Sequence, residues 1–329
     1  MWGYARGDIM KKLLFAVAAI AVAGGAALAQ SGQPPFWAYP LNPPSSANEP
    51  PLDNKTLEHV PGSKQAFTRA GLDDVFSAKD WFPGEHPVPP NVVMHGRAPN
   101  LWACGYCHMP NGQGRPENAA LAGQPVDYIV QQVMEMRSGN RQSAQPKALA
   151  PKLMAAVAKN VTAKELREAA DYFSKLPYTS RIRVVDSETV PNTHVGGVGL
   201  LAASPGGGTE PIGNRIIEIP ENFDLTELRD PHSGFIAYVP PGSIARGKTL
   251  VETGGGAAPC SSCHGLDLKG VGETPALAGR SPSYLYRQLF DIQHGSRKGP
   301  AVALMLPEVA HLNEADRVAI VAYIASLKP

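Results

Sequence analysis

Cys104-Gly105-Tyr106-Cys107-His108 and Cys260-Ser261-Ser262-Cys263-His264 decide how the rest of this 329-residue chain is read. Each is a C-x-x-C-H motif, and together they hold all four cysteines. Two thiols three positions apart can bond the two vinyl groups of one porphyrin, while the adjacent histidine reaches the iron from one face. A zinc site or a dithiol redox pair is the competing chemistry. Neither needs that histidine, and the zinc reading lacks nearby paired ligands. No cysteine remains for a structural disulfide, although an exported chain would be permitted one.

Working outward, the chain contains the same module twice. Setting Cys104 on Cys260 gives a shift of 156 that carries Leu121-Ala122-Gly123 onto Leu277-Ala278-Gly279, Tyr128 onto Tyr284, Gln132 onto Gln288, Gly139 onto Gly295 and Arg141 onto Arg297. Self-similarity at a fixed offset is the mark of internal duplication. Ile129, Val133 and Met136, and in the second copy Leu285, Leu289 and Ile292, recur at i, i+4 and i+7, which is one face of a helix. After an insertion in the first copy that includes Pro146 and Pro151, the shift becomes 151, so Met154 meets Met305, Thr162 meets Asn313 and Tyr172 meets Tyr323. Thr162 and Asn313 are N-cap residues for closing helices expected to run to Leu176 and Leu327, with Glu165 placed to complete a capping box.

These features resemble the tandem diheme members of the class I cytochrome c family, whose two homologous domains each read C-x-x-C-H, L-A-G, Y-x-x-x-Q, G-x-R, axial Met, closing helix. The resemblance covers about half of the chain. It implies a mainly α fold, two heme c groups held covalently by Cys104, Cys107, Cys260 and Cys263, and iron ligated by His108 with Met154 and by His264 with Met305. Met305 is the only methionine after Cys260, and Met154 and Met305 each stand eight residues before a cap. Pro275 occupies the place of a family proline whose carbonyl accepts from the proximal histidine, where the first copy has Ala119. Arg141 and Arg297, with Tyr128, Tyr284, Gln132 and Gln288, are expected to contact heme propionates, because buried carboxylates need donors. His95, His311 and Met134 are the substitutes should Met154 or Met305 not reach the iron.

The remaining segments differ in kind. The 33 glycines and 32 prolines are an unusually large share, which implies long irregular stretches between compact parts. Residues 1–29 read as a signal peptide, with Lys11 and Lys12 before an apolar run and Ala27-Leu28-Ala29 at its end, so the chain is expected in the periplasm. Residues 30–90 form a proline-rich arm, 91–177 the first cytochrome domain, 178–241 an irregular connector with short strands at Ile216 to Ile219 and Phe235 to Val239, and 242–329 the second domain. A net charge of +1 offers no nucleic-acid footprint. Membrane contact is expected only through a partner or an uncleaved signal segment.

A six-coordinate iron has no open position for substrate, so the expected role is to carry single electrons between redox partners, a donor dehydrogenase or reductase and an acceptor oxidase or reductase, with no catalytic residue. The alternative is a heme-containing oxidoreductase, the first site being the candidate because its copy carries the insertion and lacks the proline. A further alternative is an electron-transfer subunit of a larger dehydrogenase complex, docked through the arm by Pro34-Pro35-Phe36-Trp37 and residues 40–44.

Overall fold

The computed structural model describes residues 32–43 and 52–329. The expected signal segment and the middle of the arm lie outside them. Among the described residues, no helix is long and apolar enough to cross a membrane.

In the first copy, the helices α2 (Asn91–Met94), α3 (Cys104–His108), α4 (Val126–Ser138), α5 (Leu149–Asn160) and α6 (Ala163–Ser174) follow α1 (Arg69–Leu72) of the arm. The second copy repeats the order as α8 (Ser243–Thr253), α9 (Ser261–His264), α10 (Pro282–Gln293), α11 (Val302–Val309) and α12 (Glu314–Ser326), after the connector helix α7 (Phe223–Glu227). Thr162 caps α6 through a capping box with Glu165, and Asn313 caps α12 through a second box with Asp316. The closing helices thus begin as expected and stop at Ser174 and Ser326, one or two residues early.

The glycines of the two L-A-G triplets share one job. Gly123 and Gly279 turn the chain at φ of 69° and 70°, the left-handed region that a side chain resists. Gly247 serves close approach instead: a Cβ there would sit 1.9 Å from the Ala319 carbonyl oxygen, so α8 can lie against α12 only with glycine at the crossing. At the corresponding place the first copy has only the four-residue α2.

Each copy has its own apolar core. Ile129, Val133, Leu166, Ala170 and Phe173 are buried together in the first, and Leu285, Phe290, Val318, Ile320 and Ile324 in the second. The second core extends onto the connector sheet, since Ala237 and Val239 are buried with it.

That sheet is richer than the two expected strands. β9 (Phe235–Val239) is central, paired antiparallel with β8 (Ile217–Pro220) and parallel with β3 (Ile182–Asp186). Two further pairs, β4 (Thr189–Pro191) with β7 (Thr209–Pro211) and β5 (Thr193–Gly196) with β6 (Leu200–Ala203), fill the crossover. The connector buries a core of Val190, Leu201, Ile212, Ile217 and Ile219. The arm adds a short ribbon of β1 (Leu57–Glu58) and β2 (Phe67–Thr68) and sinks Trp81 beside Val60, Leu72 and the connector's Leu228.

Candidate functional site

The two motifs form short helices that end in a turn at the histidine. His108 donates Nδ1–H to the Ala119 carbonyl over 2.8 Å, and His264 does so to the Pro275 carbonyl over 2.9 Å. A carbonyl only accepts, so Nδ1 carries the proton and the neutral ring keeps a lone pair on Nε2. Burial lowers the pKa of both histidines and favours that neutral form. The missing proline at residue 119 makes no difference to this bond.

Burial acts in the opposite sense on the thiols. Cys104 is pushed up to about 12, and Cys107 and Cys260 are raised. A buried thiol that stays neutral is a poor nucleophile for dithiol exchange. Among the described residues, no three of His, Cys, Asp and Glu gather into a metal-binding group.

One continuous cavity of about 700 Å³ has all four cysteines, His108, His264, Met154 and Met305 on its walls. Both methionines lie in helices, α5 and α11, and are half-buried against the cores of their own copies. Pro151 falls in the first turn of α5, where its missing N–H removes no helical bond. Met136 also lines the cavity, at the place Ile292 takes in the second copy, while Met134, His95 and His311 are exposed and off it.

The six polar residues expected at propionates line the same cavity and hold one another across the two copies. Arg141 donates to Gln132 of its own copy at 3.0 Å and across to Tyr284 at 2.9 Å and Gln288 at 3.0 Å. Arg297 mirrors it, donating to Gln288 at 3.1 Å and across to Gln132 at 2.8 Å and Tyr128 at 3.5 Å. Gln124 and Arg280, another matched pair, reach across in the same way: Gln124 to Ala276, and Arg280 to the Ala120 and Ala122 carbonyls. The arrangement is close to two-fold.

Heme fits these residues. The walls are largely apolar, the histidines present unprotonated nitrogen, and the buried Nε donors of Arg280 and Arg297 have no partner within the protein, as suits a carboxylate-bearing ligand. His108 and His264 would hold iron, the cysteines would bond the vinyl groups, and the arginines would meet propionates.

Sequence reasoning missed Glu218. This connector residue reaches the cavity from β8, and its Oε2 accepts from Ser281 Oγ at 2.7 Å and Ser283 N at 3.1 Å, as well as from Ser283 Oγ. Its Oε1 is buried without a partner, and burial raises its pKa.

A cavity walled by paired cysteines, neutral histidines and thioethers defines a heme-binding protein of the c type. Residues 244–328 match the cytochrome c family model. A 95-residue stretch is 37% identical to cytochrome c-554(547) of Halothiobacillus neapolitanus and covers 99% of that protein and 26% of this chain. Longer matches, both 25% identical, join it to a thiosulfate dehydrogenase electron acceptor of Thiomonas intermedia (strain K12), over 69% of this chain and 80% of the relative, and to cytochrome c4 of Azotobacter vinelandii, over 68% and 84%. The chain belongs to the cytochrome c family, and its work is electron transfer.

Proposed function

We propose that this chain is a periplasmic cytochrome with two heme c groups, one in each of two tandem domains spanning 91–177 and 242–329. In this reading it passes single electrons between a donor dehydrogenase or reductase and an acceptor oxidase or reductase. The observation that carries the reading is that both C-x-x-C-H motifs and both matched methionines wall one cavity. Bound iron supplies a one-electron couple, and the soft thioether favours its ferrous form. The protein's own share is to orient the imidazoles through the Ala119 and Pro275 carbonyls, exclude water with apolar walls, and present guanidinium groups to the propionates. A relative named as the electron acceptor of a dehydrogenase supports a dehydrogenase as donor.

Two hemes per chain are expected to survive denaturing electrophoresis as heme stain, because thioether bonds outlast the fold. Replacing Cys260 and Cys263 together with Ala should remove one. Retention of both would overturn the reading, since no other group in the second domain can bond a vinyl carbon.

A further inference from the structure

The two attachment edges are not equally open. At eight of the twelve matched positions from Tyr106 to Glu117 of the first copy and Ser262 to Glu273 of the second, the second-copy residue is exposed and the first-copy residue is not; at the other four neither is. Leu266 is 94% exposed where its counterpart Pro110 is buried, and Val271 is 60% exposed where Arg115 is 8%. The methionine helices show no such one-sided difference: Leu304 and Leu306 are exposed where Leu153 and Ala155 are half-buried, but Pro151 is exposed where Val302 is buried.

The difference comes from the connector. Arg229 lays its guanidinium 3.9 Å over the Tyr106 ring and donates to the Tyr106 carbonyl over 2.8 Å. Arg115 donates to the Thr226 carbonyl over 3.0 Å, and Arg181 to the Gly114 carbonyl over 2.5 Å. Trp81 of the arm fixes this layer from outside by donating to the Leu228 carbonyl over 2.7 Å. The second copy has Ser262, Gly270 and Val271 at the matched places and, among the described residues, no such layer.

Electron transfer between proteins falls off steeply with the distance between redox centres, so a covered edge is a slow one. We propose that connector and arm close the attachment edge of the first site, so that the chain exchanges electrons with outside partners through the edge around Cys263, Leu266 and Val271 alone. This rests on the two-heme reading.

The test uses the holoprotein and a reduced blue-copper protein as donor, each cuprous ion giving one electron to one ferric heme. Val271→Arg and, separately, Leu266→Glu obstruct the open edge at exposed positions. Heme content is measured first; fewer than two per chain in the unsubstituted protein overturns the two-heme reading and the proposal with it. With two hemes present, stopped-flow reduction of both halves of the absorbance change should slow about tenfold, within the range that substitutions at one interface produce. If half of the change keeps its original rate, the first site has its own entrance and the proposal fails. An unchanged rate for both halves also overturns it.

Discussion

Met154 and Met305 carry the most specific residue-level consequence of the two-fold arrangement. Both are half-buried on cavity-lining helices, eight residues before a capped helix. A ferric heme with a thioether ligand shows a weak long-wavelength charge-transfer band, so if the two proposed hemes are ligated by these residues, Met154→Ala and Met305→Ala should each remove about half of it, and the losses should add. Losing a soft ligand that favours ferrous iron should lower the potential of the affected heme and open it to carbon monoxide. If Met154→Ala leaves all three signals intact, Met136, on the same cavity wall, becomes the ligand to test. The two C-x-x-C-H motifs and the matched methionines are readable in the sequence because each is a short local pattern, and all of them lie on the one cavity. The partners of Arg141 are not readable there: Tyr284 and Gln288 lie 143 and 147 residues away, and no local period records which copy an arginine will face. Glu218 was equally invisible, being a single acid on a strand outside the repeat.

At the scale of elements, the closing helices show how a local signal survives into the fold. Thr162 and Asn313 each accept the N3 backbone N–H while the N3 carboxylate returns the bond, which satisfies donors the helix cannot use itself. Thr162→Ala and Asn313→Ala should each cost about 1 kcal/mol. The caps lie in different copies, so the double variant should lose the sum, read as a shift of the urea midpoint at constant slope. A loss confined to one variant would mean that only one closing helix is part of the cooperative unit. Strands were harder to anticipate. Phe235 to Val239 alternates buried and half-buried, a readable period of two, and β8 lies one residue beyond its expected bounds. β4 to β7 are three or four residues each, include Pro191, Pro211 and Gly196, and take their order from pairing across the connector rather than from any internal pattern.

For the whole molecule, the connector couples stability to pH. Burial raises the Glu218 carboxyl above its ordinary value of 4.5, against the lowering effect of Ser281, Ser283 and Arg287. The folded state therefore holds its proton more tightly than the unfolded chain, a contribution fully present below that value and lost as pH rises through the raised one. Glu218→Gln cannot ionise, so between about pH 5 and about pH 7 its melting temperature should fall less than that of the unsubstituted protein. Parallel curves would show that the carboxyl titrates alike in both states. The reciprocal clasp of Arg141 and Arg297 has another consequence, one for biosynthesis. Every hydrogen bond these two cations make within the protein goes to a neutral glutamine or tyrosine oxygen. The nearby Glu135 has neither carboxylate oxygen hydrogen-bonded, because Pro300 stands where the first copy offers the Ala144 N–H to Asp291. Bringing the halves together sets two buried guanidinium groups side by side, and prosthetic carboxylates would add to the compensation that Asp291 already gives Arg141. On the two-heme proposal, the halves of a chain that has missed a heme should therefore close on each other less tightly than those of the fully loaded protein.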